Sequence, residues 1–123
     1  SMRLSKQTEV AIDALVYMGR RAEQVTAQEV DAAIGRKGDT WSALRALSLA
    51  GIVASKVGRT GGFVLAKPLK EVTLLDVIVA VEGLVFPGAG NGEGASCVAS
   101  AMLRDAVSDV AASLSVRDLV EAA

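Results

Sequence analysis

A chain of 123 residues, 51% of them apolar and 22% charged, is one domain's worth with a single buried core; no apolar run reaches the roughly 18 to 20 uncharged residues of a membrane span. It has no histidine and one cysteine, which excludes Ser-His-Asp and Cys-His catalysis, histidine-based metal sites and an internal disulfide. The net charge of −1 conceals an asymmetry: residues 1–70 hold eleven Lys/Arg against six Asp/Glu, residues 71–123 hold two against eight, and the basic half is expected to face a polyanion.

The opening residues lack the apolar stretch of a signal peptide, and Ser1 ahead of Met2 suggests a cloning remnant with Met2 as the natural start. A lone cysteine fits a reducing cytoplasm. Carboxylates, lysine and Cys97 are the catalytic groups that remain, no paired-carboxylate motif stands out, and Gly58 to Gly62 lacks the Lys-Ser/Thr ending of a phosphate-binding loop. The chain is therefore expected not to be an enzyme.

Ala11, Leu15, Met18 and Ala22 recur at spacings of three and four, widened by Ile12 and Val16, which predicts a core helix over residues 7–21 with Ala22 just past its end. Arg20 and Arg21 close it where cations suit the helix dipole. Thr26 with Glu29 forms a capping box, Val25 and Val30 a hydrophobic staple, and Gly35 a stop, so the next helix spans 27–34. After Arg36-Lys37-Gly38 a third helix starts, with Asp39 or Thr40 as cap and Gly51 as terminator, over about 41–50. Its inward face is Leu44 and Leu47 with Ala43 and Ala50. Trp41, Ser42, Arg45, Ala46 and Ser48 form the other face, with mostly short or hydrogen-bonding side chains that can approach a groove closely. Two short helices joined by a tight basic turn match a helix-turn-helix, and a plain helical hairpin shares the pattern.

Two runs rich in β-branched and apolar residues, 52–57 and 63–67, flank Gly58-Arg59-Thr60-Gly61-Gly62 and predict a hairpin with a five-residue loop. Alone it is compatible with any surface hairpin. After a helix-turn-helix it becomes a wing, where Arg59 is either a contact to phosphate or the minor groove or a solvated charge.

The cap-and-staple pattern recurs at Thr73 with Asp76, Val72 and Val77, stopped by Gly83, and again at Ser115 with Asp118, Leu114 and Leu119. Between them, residues 96–113 predict an Ala/Val-rich helix with Val98, Met102, Ala106, Val110 and Leu114 on one stripe and Leu103 and Val107 beside it. Such a stripe serves dimerisation or packs within its own subunit. The glycine-rich segment 84–95 is expected to be a flexible loop.

Several stretches in one order carry a resemblance: Met2-Arg3-Leu4-Ser5, Leu49-Ala50-Gly51-Ile52-Val53-Ala54-Ser55, Gly58 with Gly61-Gly62-Phe63, Leu65-Ala66-Lys67-Pro68, Val72-Thr73-Leu74-Leu75-Asp76-Val77 and Ala80-Val81-Glu82-Gly83. Residues 2–83 resemble the Rrf-two family of bacterial winged-helix transcription regulators, which includes the regulator of iron-sulfur cluster assembly and the nitric-oxide-sensing repressor. The resemblance implies a mainly α fold with a small two-stranded antiparallel β wing. Residues 1–83 would be a winged helix-turn-helix, 84–95 the loop, and 96–123 a dimerisation helix with a short C-terminal helix, in one compact unit. It further implies a homodimer on a double-stranded DNA operator, repressing by blocking promoter access, in the bacterial cytoplasm at the nucleoid.

On this reading Arg36, Lys37, Thr40, Trp41, Ser42 and Arg45 form the recognition region, and Lys56, Arg59 and Thr60 the wing. Val98, Met102, Leu103, Ala106 and Val110 form the dimer contact. A winged-helix module that docks a protein partner without binding DNA is the alternative. Two departures stand out: Val57 replaces an arginine usual before the wing's first glycine, and Asp39-Thr40-Trp41 replaces a tyrosine near the start of the recognition helix. Cluster-binding members carry three cysteines in the loop, whereas here Cys97 alone stands in what matches the last of those places. No iron-sulfur centre, other metal or cofactor is expected. Control would come from Cys97 as a redox or electrophile sensor near a helix start, from a partner protein, or from a small-molecule effector between the dimer helix and the DNA-binding head. Cys97 as a small packed hydrophobe is the plainer alternative.

Overall fold

Local caps cut the chain into short elements. In a computed structural model that describes residues 3–21, 23–35, 38–58, 61–83 and 94–123, these are helices α1 (Lys6–Arg20), α2 (Ala27–Ile34) and α3 (Thr40–Leu49), strands β1 (Val53–Lys56) and β2 (Gly62–Leu65), and helices α4 (Leu74–Glu82), α5 (Ala95–Ser113) and α6 (Val116–Ala122). Ala22 and the segment 84–93 lie outside the described residues.

Ser5 starts α1 by accepting the Thr8 N–H at 3.1 Å. The helix buries Thr8, Val10, Ala11, Ala14, Leu15 and Met18, a wider face than its periodicity suggested, because α2, α3 and α4 all pack on it. Ile12 and Val16 are half-buried. At α2 the box is complete: Thr26 Oγ1 accepts the Glu29 N–H at 3.1 Å, and the Glu29 carboxylate accepts the Thr26 N–H at 3.4 Å. The staple residues Val25 and Val30 are both fully buried. Gly35, at φ 83, takes the left-handed turn that closes the helix.

The third helix is capped by Asp39, so it starts at Thr40 and ends at Leu49, one residue earlier at each end than the sequence suggested. Ala43, Leu44 and Leu47 are buried as expected. Ala50 is not: it is exposed at the C-cap, where the chain leaves the helix through Gly51.

The wing is antiparallel, with Val53 opposite Leu65, Ala54 opposite Val64, Ser55 opposite Phe63 and Lys56 opposite Gly62. Pairing stops at Lys56, leaving Val57 fully exposed. The other edge of β2 meets the loop between α1 and α2: Val25 N–H donates to the Phe63 carbonyl at 3.0 Å, and Phe63 N–H to the Val25 carbonyl at 2.8 Å. That bridge docks the wing on the helical body. Gly62 permits it, since a Cβ there would run into the Val25 carbonyl.

A 3-10 turn at Leu69–Glu71, absent from the sequence reading, brings Leu69 against Gly19 of α1. The capping boxes of α4 and α6 lie side by side, tied by Leu74 N–H to the Leu114 carbonyl and Val116 N–H to the Val72 carbonyl, both at 2.8 Å. Helix α5 packs along α4 and buries Ala111. The core runs through α1, the inner face of α3, Ile52 and Val53, Val72, Val77 and Val116. Three helices followed by a two-stranded wing make a winged helix-turn-helix. Among the described residues no helix is long and apolar enough to cross a membrane.

Candidate nucleic-acid interface

Because α3 buries Ala43, Leu44 and Leu47 against α1, its opposite side is presented outward. Trp41 is 55% exposed, and Ser42 and Arg45 are exposed beside it. The Arg45 guanidinium lies over the Trp41 ring, 5.5 Å from its centroid, so the cation is held on the helix face while still reaching outward. On the wing, Lys56 is exposed at the end of β1. Arg36, Lys37, Arg59 and Thr60 lie outside the described residues.

Thr40 departs from the expected role. It is 4% exposed, and its hydroxyl donates to Asp31 Oδ1 of α2 at 2.7 Å. With Asp39 as the cap, Thr40 becomes the first helical residue and faces the body, where it ties α3 to α2. In this geometry it lies behind the exposed face of α3.

The N-terminus of α3 is held by a compact set of hydrogen bonds. Asp39 Oδ1 accepts the Ser42 N–H at 3.0 Å and Oδ2 accepts the Ser42 hydroxyl at 2.7 Å. These two bonds, the backbone one first, hold the Asp39 carboxyl below the ordinary carboxylate range. A lowered pKa in the folded chain means that the cap stabilises at neutral pH, and that this contribution is lost as pH falls through the lowered value. From α1, the Gln7 side-chain amide bonds both backbone polar groups of Asp39, at 3.0 and 3.1 Å. Sequence reasoning missed Gln7, since its partner is 32 residues away and nothing local marks it.

An open groove of about 490 Å³ lies between α3 and α4, lined by Ala46, Leu49, Lys67, Leu75 and Val79 among others. It stands beside the exposed face of α3. On α5, Val98, Met102, Leu103 and Val110 are 57, 66, 58 and 59% exposed, and Ala106 is exposed with them. Cys97 is half-buried in the first turn of that helix.

A model of the Rrf2 family, described as "Iron-dependent Transcriptional regulator", matches residues 4–122. The chain is 36% identical over 83 residues to Protein aau3 of Rhizobium meliloti (strain 1021), a stretch covering 66% of this chain and 54% of that protein. It thus spans about half the length of that relative. In fold it is similar to CymR (YrzC), the global cysteine regulator of B. subtilis, with a TM-score of 0.82 at 21% identity over 100% of this chain and 99% of that one. It is also similar to IscR of T. potens, with a TM-score of 0.77 at 16% identity over 98% and 88% of the two chains. That description raises an iron centre, and the donor set of this chain does not fit one. The chain has one cysteine and no histidine, and no group of three His, Cys, Asp or Glu side chains is placed to hold a metal among the described residues.

Proposed function

The chain belongs to the Rrf2 family of transcriptional regulators, and from that premise we propose that it binds a double-stranded DNA operator as a homodimer and represses by blocking promoter access. Helix α3 enters the major groove and the wing lies beside it. The observation that carries this reading is the division of α3 into a buried Leu44/Leu47 face and an exposed Trp41, Ser42 and Arg45 face, followed directly by the Lys56 wing. Arg36, Lys37, Arg59 and Thr60 join the interface on the strength of their charge, hydrogen-bonding capacity and place in the sequence. Residues 1–83 then act as the DNA-binding head, residues 84–95 as the connection, and residues 96–123 as the dimerisation part, with the α5 stripe of Val98, Met102, Leu103, Ala106 and Val110 as the contact between subunits. A cytoplasmic regulator at the nucleoid is the setting this implies.

The direct test is binding to genomic DNA fragments in a salt series. Arg45→Ala and Arg59→Ala are each expected to lower affinity about tenfold, and each phosphate contact removed should lessen the dependence of log affinity on log salt by about one unit. Unchanged affinity in both variants contradicts DNA binding and favours a protein-docking module.

The dimer is proposed to work without an iron-sulfur cluster, because one thiolate per subunit supplies two at most. Protein purified without oxygen is expected to have no iron-sulfur absorption in the visible, whereas such bands together with bound iron would overturn this part of the reading. Cys97 is taken as a packed small side chain, in keeping with its half-burial.

A further inference from the structure

We propose that Gln7 is a positioning residue that sets how the recognition helix is presented to DNA, an inference that rests on the operator-binding reading above. Gln7 is the second residue of α1, next to the fully buried Thr8, so its backbone is anchored to the body. Its Nε2–H donates to the Asp39 carbonyl at 3.0 Å, and its Oε1 accepts the Asp39 N–H at 3.1 Å. One side-chain amide thus satisfies both polar groups of a single backbone residue, and only a group with a donor and an acceptor can do so.

The place it grips is the N-cap of α3, where the turn becomes helix. Gly38 makes the approach feasible, since a Cβ there would lie 2.8 Å from Gln7 Oε1, closer than real Cβ contacts. From the other side Asp31 of α2 accepts the hydroxyl of the next residue, Thr40, at 2.7 Å. With α1 holding residue 39 and α2 holding residue 40, the turn that presents Trp41 and Ser42 has one orientation on the body. Such preorganisation acts on base readout first: base-edge contacts require a fixed register, while phosphate contacts tolerate small shifts.

The experiment uses the full chain and two probes: a fragment that the wild-type protein selects from genomic DNA, and a scrambled fragment of equal length and composition. Gln7→Ala is expected to lose about tenfold in affinity for the selected fragment and less than about twofold for the scrambled one. Gln7→Glu, which at neutral pH keeps the acceptor and loses the donor, should fall between wild type and Gln7→Ala. Gly38→Ala should weaken selective binding alone and cost less in a Gln7→Ala background, where the amide its Cβ would displace is gone and only the Val10 Cγ2 contact at 3.1 Å remains. Thermal melts establish that each variant is folded. Equal losses on both fragments, or additive effects of Gln7→Ala and Gly38→Ala, overturn the inference and leave operator binding standing. A wild-type chain that selects no fragment overturns operator binding itself, and the inference with it.

Discussion

Replacing Met102 and Leu103 together by glutamate is expected to turn the proposed dimer into a folded monomer and to lower operator affinity by at least about a hundredfold, since a monomer loses the gain of engaging two half-sites at once. These side chains are 66 and 58% exposed on α5, so the substitutions should cost the isolated subunit little. In a dimer they would place carboxylates in an apolar contact, where an unpaired charge is strongly unfavourable. Val98, Ala106 and Val110 extend the same exposed stripe, and a contiguous apolar surface of this kind marks an interaction site on a soluble protein. Light scattering and fluorescence anisotropy read the two effects. A variant that stays dimeric would show that α5 is not the contact between subunits.

Gly62→Ala is expected to destabilise the chain by about 2 to 3 kcal/mol, the upper part of the usual range for overpacking. The added methyl would run into the Val25 carbonyl, and a backbone atom cannot swing aside as a flexible side chain can. Relief would require parting the Val25–Phe63 hydrogen-bond pair, which joins the wing to the loop before α2. The melting temperature should fall by roughly 5 to 10 °C. Because the same movement displaces Lys56, opposite Gly62 in the register, operator affinity should fall further than the loss of folded protein accounts for. A melt within a degree or two of wild type would show that the wing yields there without cost.

The capped elements were legible because each cap is a conversation between residues three apart. Thr26 with Glu29, Thr73 with Asp76 and Ser115 with Asp118 all form the reciprocal bonds that their sequence spacing suggests. The bounds of α2 followed directly, with Gly35 in the left-handed conformation its position required. What escaped depends on partners distant in sequence. Thr40 is an exception: with Asp39 as the cap it becomes a helical residue four before Leu44 and seven before Leu47, on the buried side of α3, where its hydroxyl donates to the Asp31 carboxylate. Ala50 moved outward for a related reason, since the helix ended before it.

The wing followed the same division. Its β-branched runs and glycine loop were visible locally, but the Val25–Phe63 bridge and the close approach at Gly62 depend on a segment nearly forty residues earlier, and the grip of Gln7 on Asp39 crosses a similar distance. Exposure of Trp41, Ser42, Arg45 and Lys56 agrees with the face read from sequence, and the α5 stripe is exposed where the sequence left dimerisation and internal packing open.

The most direct measurement is sequencing of the genomic fragments that the purified chain retains at physiological salt. A sequence-specific homodimer predicts that they share an inverted repeat with half-sites about one helical turn, roughly 10 base pairs, apart, and that Arg45→Ala lowers the enrichment in line with its roughly tenfold loss of affinity. Retained fragments with no common sequence, or the same enrichment with Arg45→Ala, would contradict the account.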